Sequence, residues 1–151
     1  MEQIIIFIIL AVLGYTAGTL AERKHYRSIE TRERRYLNLP AVTTKKESFK
    51  ESEVENAILV SGNAVISLDY FKRILAGLRN IFGGEVVSYE TLIDRARREA
   101  ILRMKEKAGR ADVILNLRIE TSSIGQTANK RNTIGSIEAI AYGTAITLKK
   151  T

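Results

Sequence analysis

Residues Ile4 to Ala21, IIIFIILAVLGYTAGTLA, carry no charge and are almost wholly apolar. At about 1.5 Å per residue this run makes a helix of roughly 27 Å, close to the hydrocarbon thickness of a bilayer. A helix on the surface of a globular domain shows an apolar stripe, whereas this one is apolar all round. A cleaved signal peptide would begin with basic residues, and the start here is Met1-Glu2-Gln3, although Thr19 and Ala21 are small enough for a cleavage site. A buried core helix is usually shorter. The stretch reads as a membrane span, with residues 1–21 as the transmembrane segment and everything after it a tethered domain.

The flanks set the orientation. Glu2 alone precedes the run, and Arg23, Lys24, Arg27, Arg32, Arg34 and Arg35 follow it. Lys and Arg beside a span stay on the cytoplasmic side. The expected location is the cell membrane, single-pass, with the N-terminus outside and the domain in the cytoplasm. The membrane is thus the first expected partner, and the basic flank lies within reach of anionic headgroups. The flank also accounts for much of the net charge of +7, which weakens nucleic acid as an explanation of that charge. Within the span, Gly14 and Gly18 form a small-xxx-small pair at which two helices can pack closely.

The chain has no Cys, no Trp and one His. Disulfides, thiolate nucleophiles and Cys-based metal sites are therefore excluded. Residues 22–55 form a basic juxtamembrane segment and linker. Residues 22–39 are either a helical extension of the span or an interfacial segment, closed by Pro40. Residues 41–55 are polar and lack a clear period.

A folded domain is expected over 56–151. Ala57 to Ser67 is β-branched and apolar and reads as one long strand bending at Gly62. Leu68, Phe71, Ile74, Leu75, Leu78 and Phe82 recur at three and four, the spacing of a helix that Gly83-Gly84 ends. A second helix runs from about Tyr89 to Ala108. Its inner face holds Tyr89, Leu92, Ile93, Ala96, Ala100 and Met104, with Arg95, Arg98, Glu99, Arg103, Lys105 and Glu106 mostly elsewhere. Ala111 to Ile124 alternates, with Val113, Leu115, Leu117 and Ile119 on one face. A polar basic loop, Gly125 to Asn132, precedes a last strand over Ile134 to Leu148. That strand has a face of small residues, Ala139, Ala141, Gly143 and Ala145, which invites a helix or another backbone to approach. The fold class is α+β: a β-α-α-β-β domain with helices packed on an antiparallel sheet, preceded by one transmembrane helix. Two nonpolar faces on the last strand of so small a domain point to self-association.

The run FKRILAGLRNIFGGEVVSYETLIDRAR, Phe71 to Arg97, and the ending GSIEAIAYGTAI resemble the YbjQ-like family. Gly83, Gly84, Tyr89, Glu90, Ala96, Arg97 and Ala100 carry the resemblance, which extends over about Asn56 to Leu148. It implies a dodecin-like subunit in a ring-shaped homo-oligomer, a homopentamer, and no defined activity. The family often carries a heavy-metal-binding label. The chain departs from the family pattern at Gly109-Arg110-Ala111-Asp112 and in its added span and linker.

The metal label needs ligands. Soft metals prefer Cys, Met or His. The folded domain has neither Cys nor His, and Met104 falls on a helix face that reads as core. Glu85, Glu90, Asp94 and Glu99 would suit a hard cation, yet helix carboxylates beside Arg usually form a solvated face. No catalytic residue, cofactor site or metal site is assigned from the sequence, and the chain is read as no enzyme. His25 reads as an interfacial residue. The candidate ligand or subunit-junction site is Tyr89, Glu90 and Arg97. Against it stands the simpler reading that Glu90 complements the positive end of the helix dipole. The leading expectation is a membrane-anchored homo-oligomeric binding or scaffold domain, and the alternative is a metal- or small-ligand-binding module. A basic patch of Arg95, Arg98, Arg103, Lys105, Lys130 and Arg131 is the rival case for nucleic acid.

Overall fold

The computed structural model describes residues 2–45, 49–67, 87–124 and 136–149. The expected helix from Leu68 to Phe82, its Gly83-Gly84 stop and the loop Gly125 to Asn132 fall outside these residues.

The first element is α1, a single helix of 34 residues from Glu2 to Arg35. At 1.5 Å per residue it is about 50 Å long, so the apolar run fills only its first half. That half is entirely unburied. Its hydroxyls are satisfied within the helix: Thr16 Oγ1 donates to the Leu13 carbonyl at 3.0 Å, and Thr19 Oγ1 to that of Tyr15 at 2.9 Å. Of the two options for residues 22–39, the helical extension is observed as far as Arg35, and residues 36–39 form a turn before Pro40.

Three strands follow: β1 (Val54–Ser67), β2 (Val113–Ile124) and β3 (Ser136–Leu148). They form an antiparallel sheet of order β1-β3-β2. The helix α2 (Val87–Lys107) lies across one face. The fold is α+β with an antiparallel sheet. The small face of β3 sits beneath α2, with Ala139, Ala141 and Ala145 buried. Leu92, Ala96, Ala100 and Met104 of α2 meet them, joined by Val60, Ala64 and Ile137.

Gly62 serves this packing. The β1–β3 register runs through it unbroken. A Cβ there would overlap the Ala100 carbonyl and the Met104 amide. The glycine lets the α2 backbone rest on the strand, and the register slips instead between Val54 and Asn56.

The alternation expected in β2 is corrected. The register shifts between Leu115 and Arg118, and Asn116 adopts a left-handed φ of 54°. This bulge reverses the facing of the residues after it. Val113 and Leu115 therefore do not share a face with Leu117 and Ile119. Ile114, Leu117 and Ile119 join the core beneath α2, while Val113 and Leu115 pack on the opposite face with Ile146, Val42, Phe49, Val54 and Leu148.

Residues 40–44, read above as linker, run along the free edge of β2. Ile114 donates to the Pro40 carbonyl at 2.9 Å, Val42 to Ile114 at 2.9 Å, Leu117 to Val42 at 2.9 Å and Asn116 to Thr44 at 2.8 Å. Further on, Lys149 donates its amide to the Glu53 carbonyl and its Nζ to that of Ser52.

Candidate functional site

The densest chemistry lies where the second half of α1 meets α2. The inward residues are Glu22, His25, Tyr26, Ile29, Arg32 and Glu33 on α1 and Tyr36 in the turn just after it, spaced by three and four as one helix stripe requires. Ile29 is fully buried. On α2, Arg95, Arg98, Glu99, Leu102, Lys105 and Glu106 answer them.

Glu99 is the centre. It is 3 % exposed, although the sequence pattern places it outside. Arg32 makes a forked contact, with Nη1 3.2 Å from Oε1 and Nη2 bonded to Oε2. Arg103 Nε donates to Oε1 at 2.8 Å. His25 Nε2 lies 3.5 Å from Oε2. Burial opposes ionisation of Glu99, but the hydrogen bonds from Arg32 and Arg103 outweigh it and hold the carboxyl below its ordinary value. Arg32 also reaches Glu106 at 3.3 Å. Arg103 Nη1 donates to the Asn63 carbonyl at 2.8 Å, tying the network to β1.

A second group surrounds Arg95. Its Nε donates to His25 Nδ1 at 3.3 Å, and its Nη1 lies 3.6 Å from Glu22. The Arg95 guanidinium carbon stands 5.5 Å from the centre of the Tyr26 ring, whose hydroxyl donates to the Thr91 carbonyl at 3.2 Å. Burial, then the charge of Arg95, pushes the His25 pKa down. Arg98 forks onto Glu33 at 2.8 and 2.6 Å, which lowers the Glu33 carboxyl chiefly through those hydrogen bonds. Lys105 donates to the Tyr36 carbonyl at 3.3 Å. An open groove of about 330 Å³ lies beside this last pair, lined by Glu33, Tyr36, Leu37, Arg98, Ile101, Leu102 and Lys105.

The α2 members of the basic patch weighed for nucleic acid are therefore spent inside the molecule. Arg95, Arg98 and Arg103 each hold a partner on α1, α2 or β1, and Lys105 holds the Tyr36 carbonyl just after α1. Lys130 and Arg131 lie outside the described residues.

The sequence-derived site is placed as follows. Tyr89 and Glu90 lie in the first turn of α2, and nothing is described of the Tyr89 side chain. Glu90 is exposed. Arg97 is exposed on the same side of the helix, two turns or about 10 Å further on, and its Nε donates to Thr121 Oγ1 at 3.0 Å. Gly14 and Gly18 lie one turn apart on the unburied half of α1. The Glu99 network was missed because each charged residue was read on its own helix. Its signal was the stripe from Glu22 to Tyr36, in which the apolar positions of an ordinary packing face are largely replaced by charges complementary to α2.

The donors present do not fit a soft heavy metal. Among the described residues no three of His, Asp or Glu cluster as a metal would need, and the chain has no Cys. His25 already accepts from Arg95 through one ring nitrogen, and Met104 is sealed in the core.

Comparison with known proteins places the fold in a family. A family model described as "Putative heavy-metal-binding" (YbjQ) matches residues 41–149. A UPF0145 protein of Methanococcus vannielii is 38% identical over 112 residues, covering 72% of this chain and 99% of its own. One from Archaeoglobus fulgidus is 37% identical over 111 residues, covering 72% and 95%. A solved structure of a protein of unknown function from Pediococcus pentosaceus aligns with a TM-score of 0.46 at 17% identity, over 74% of this chain and 98% of its own. Over residues 41–149, from the segment that pairs with β2 through the last strand, this chain belongs to the YbjQ family of UPF0145 proteins.

Proposed function

We propose that the protein is a single-pass, membrane-anchored, homo-oligomeric binding or scaffold domain of the YbjQ family that faces the cytoplasm. One observation carries this reading. A single helix presents an apolar surface on every side for its first half and is locked to α2 through its second half. Among the described residues no protein covers the first half, and a bilayer is the solvent that suits it. The basic flank supports the cytoplasmic placement of the domain. Self-association is supported by apolar side chains left open on the sheet face away from α2, among them Leu59 and Ile140.

Carbonate extraction of cell membranes followed by protease protection tests the anchor. The full chain should stay in the membrane pellet, and its domain should resist protease in inside-in vesicles. Release into the carbonate supernatant would overturn the reading.

The alternative, a ligand module using Glu90 and Arg97 at a subunit junction, is favoured by their shared side of α2. Isothermal titration of the full chain in detergent against zinc, copper, nickel and calcium separates the two. Flat traces leave the scaffold reading standing alone.

A further inference from the structure

The basic run after the span divides into two sets with different duties. His25 and Arg32 turn inward to Glu99. Arg23, Lys24 and Arg27 are exposed on the opposite side of α1, and their side chains make no ion pair or hydrogen bond among the described residues. They follow Ala21 by two to six residues, so they stand about 3 to 9 Å along the axis from the end of the apolar run. The headgroup layer on each side of a bilayer is roughly 5 to 8 Å deep. Arg34 and Arg35 are also exposed, but about 20 Å from that end, beyond two Debye lengths at physiological salt. Position on the helix separates cations of the same type into one group at the headgroups and one outside their reach.

We propose that Arg23, Lys24 and Arg27 form a recognition surface for anionic phospholipid headgroups of the leaflet into which the domain's side of α1 emerges. The inference rests on the anchor reading and adds a lipid specificity to it. The set fits phosphate because three cations lie within two helical turns, continuous with the apolar surface that holds the acyl chains. The inward cations contribute nothing, since Glu99 and Glu106 already compensate them.

The test uses the full chain in nanodiscs of phosphatidylcholine alone or with phosphatidylglycerol, with retained lipid counted by native mass spectrometry. The wild type should retain phosphatidylglycerol over phosphatidylcholine. The variant R23Q/K24Q/R27Q should lose that preference by roughly a hundredfold, about fivefold for each cation. R34Q/R35Q carries the milder change in total charge and should keep the preference within about twofold. These variants touch no internal partner, so their far-ultraviolet spectra should match the wild type. Equal retention of both lipids by the wild type, or loss of the preference in R34Q/R35Q with its persistence in the triple variant, overturns the proposal alone. Failure of the wild type to enter nanodiscs at all overturns the anchor and this surface together.

Discussion

Glu99 is a buried carboxylate compensated by Arg32 and Arg103, so its removal should act mainly through what it leaves behind. Glu99→Ala leaves the Arg32 guanidinium with only its contact to Glu106, and its Nε is already buried without a partner. Breaking such a pair costs on the order of 3 kcal/mol. A thermal melt of the full chain in detergent checks this, with an unchanged melting temperature counting against the network's importance. The same cluster gives a pH dependence in two windows. His25 has a folded pKa below its ordinary 6.5, because burial and the neighbouring Arg95 disfavour the imidazolium. The unfolded chain therefore takes up that proton first, and stability falls as pH drops from about 6.5 through the folded value. Glu99 has a folded pKa below its ordinary 4.5, so a second loss begins only below that pH. His25→Gln can still face both Arg95 and Glu99 and should abolish the upper window while leaving the lower. A single acid transition that is identical in both proteins would refute the assignment. At Gly62 the constraint is steric. Gly62→Ala must lift α2 from β1, because the obstacles are backbone atoms with no rotamer to yield. The expected cost is about 2 to 3 kcal/mol, within the range for overpacking a filled core, read from the same melt.

The elements differ in how openly the sequence announced them. The apolar half of α1 and the inner face of α2 were legible because each follows one rule, an uncharged run of spanning length or a three-and-four period. The helix-facing residues of β3 were legible because small side chains leave room only for close approach. The phase of β2 was not, since alternation cannot reveal the bulge at Asn116, a residue that tolerates left-handed geometry but does not demand it. Nor was the pairing of residues 40–44, whose partner on β2 lies some seventy residues away. The Glu99 cluster was illegible for the same reason, since half of it comes from α1. This sets an expectation for truncations. A chain starting at Glu22 keeps Ile29, Leu39, Val42, Phe49 and the bonds to the edge of β2. A chain starting at Asn56 loses them all. Four edge hydrogen bonds at about 1 kcal/mol each, with Ile29 and Leu39 at roughly 2 each, amount to about 8 kcal/mol. That is comparable to the whole stability of a small domain. The Glu22 chain should melt cooperatively without detergent and the Asn56 chain should show no cooperative melt. Equal melts for the two would show that the segment before β1 is dispensable.

For the whole molecule, two surfaces are candidates for the proposed self-association. One is the sheet face away from α2. Its end near Val113 and Ile146 is covered by Val42 and Phe49, while the rest leaves Leu59 77 % and Val65 52 % exposed, with Ile124 and Ile140 beside them. The other is the Gly14 and Gly18 side of the span. Burying four large apolar side chains that are half exposed is worth several kcal/mol in water. Close packing of a small-residue pair in lipid has no hydrophobic drive and is worth less. The sheet face should therefore dominate. Light scattering on the full chain in detergent, corrected for bound detergent, decides the point. The wild type should have a multiple of the 16.9 kDa subunit mass. Leu59→Glu with Ile140→Glu should reduce it to one subunit, because two carboxylates cannot be buried unpaired at a contact between copies. Gly14→Leu with Gly18→Leu should leave the mass unchanged. If the glycine variant dissociates instead, the span carries the assembly and the open sheet face is left for a different partner. A wild type that is already monomeric would remove self-association from the proposed function altogether, leaving the anchored domain as a single docking unit on the membrane surface.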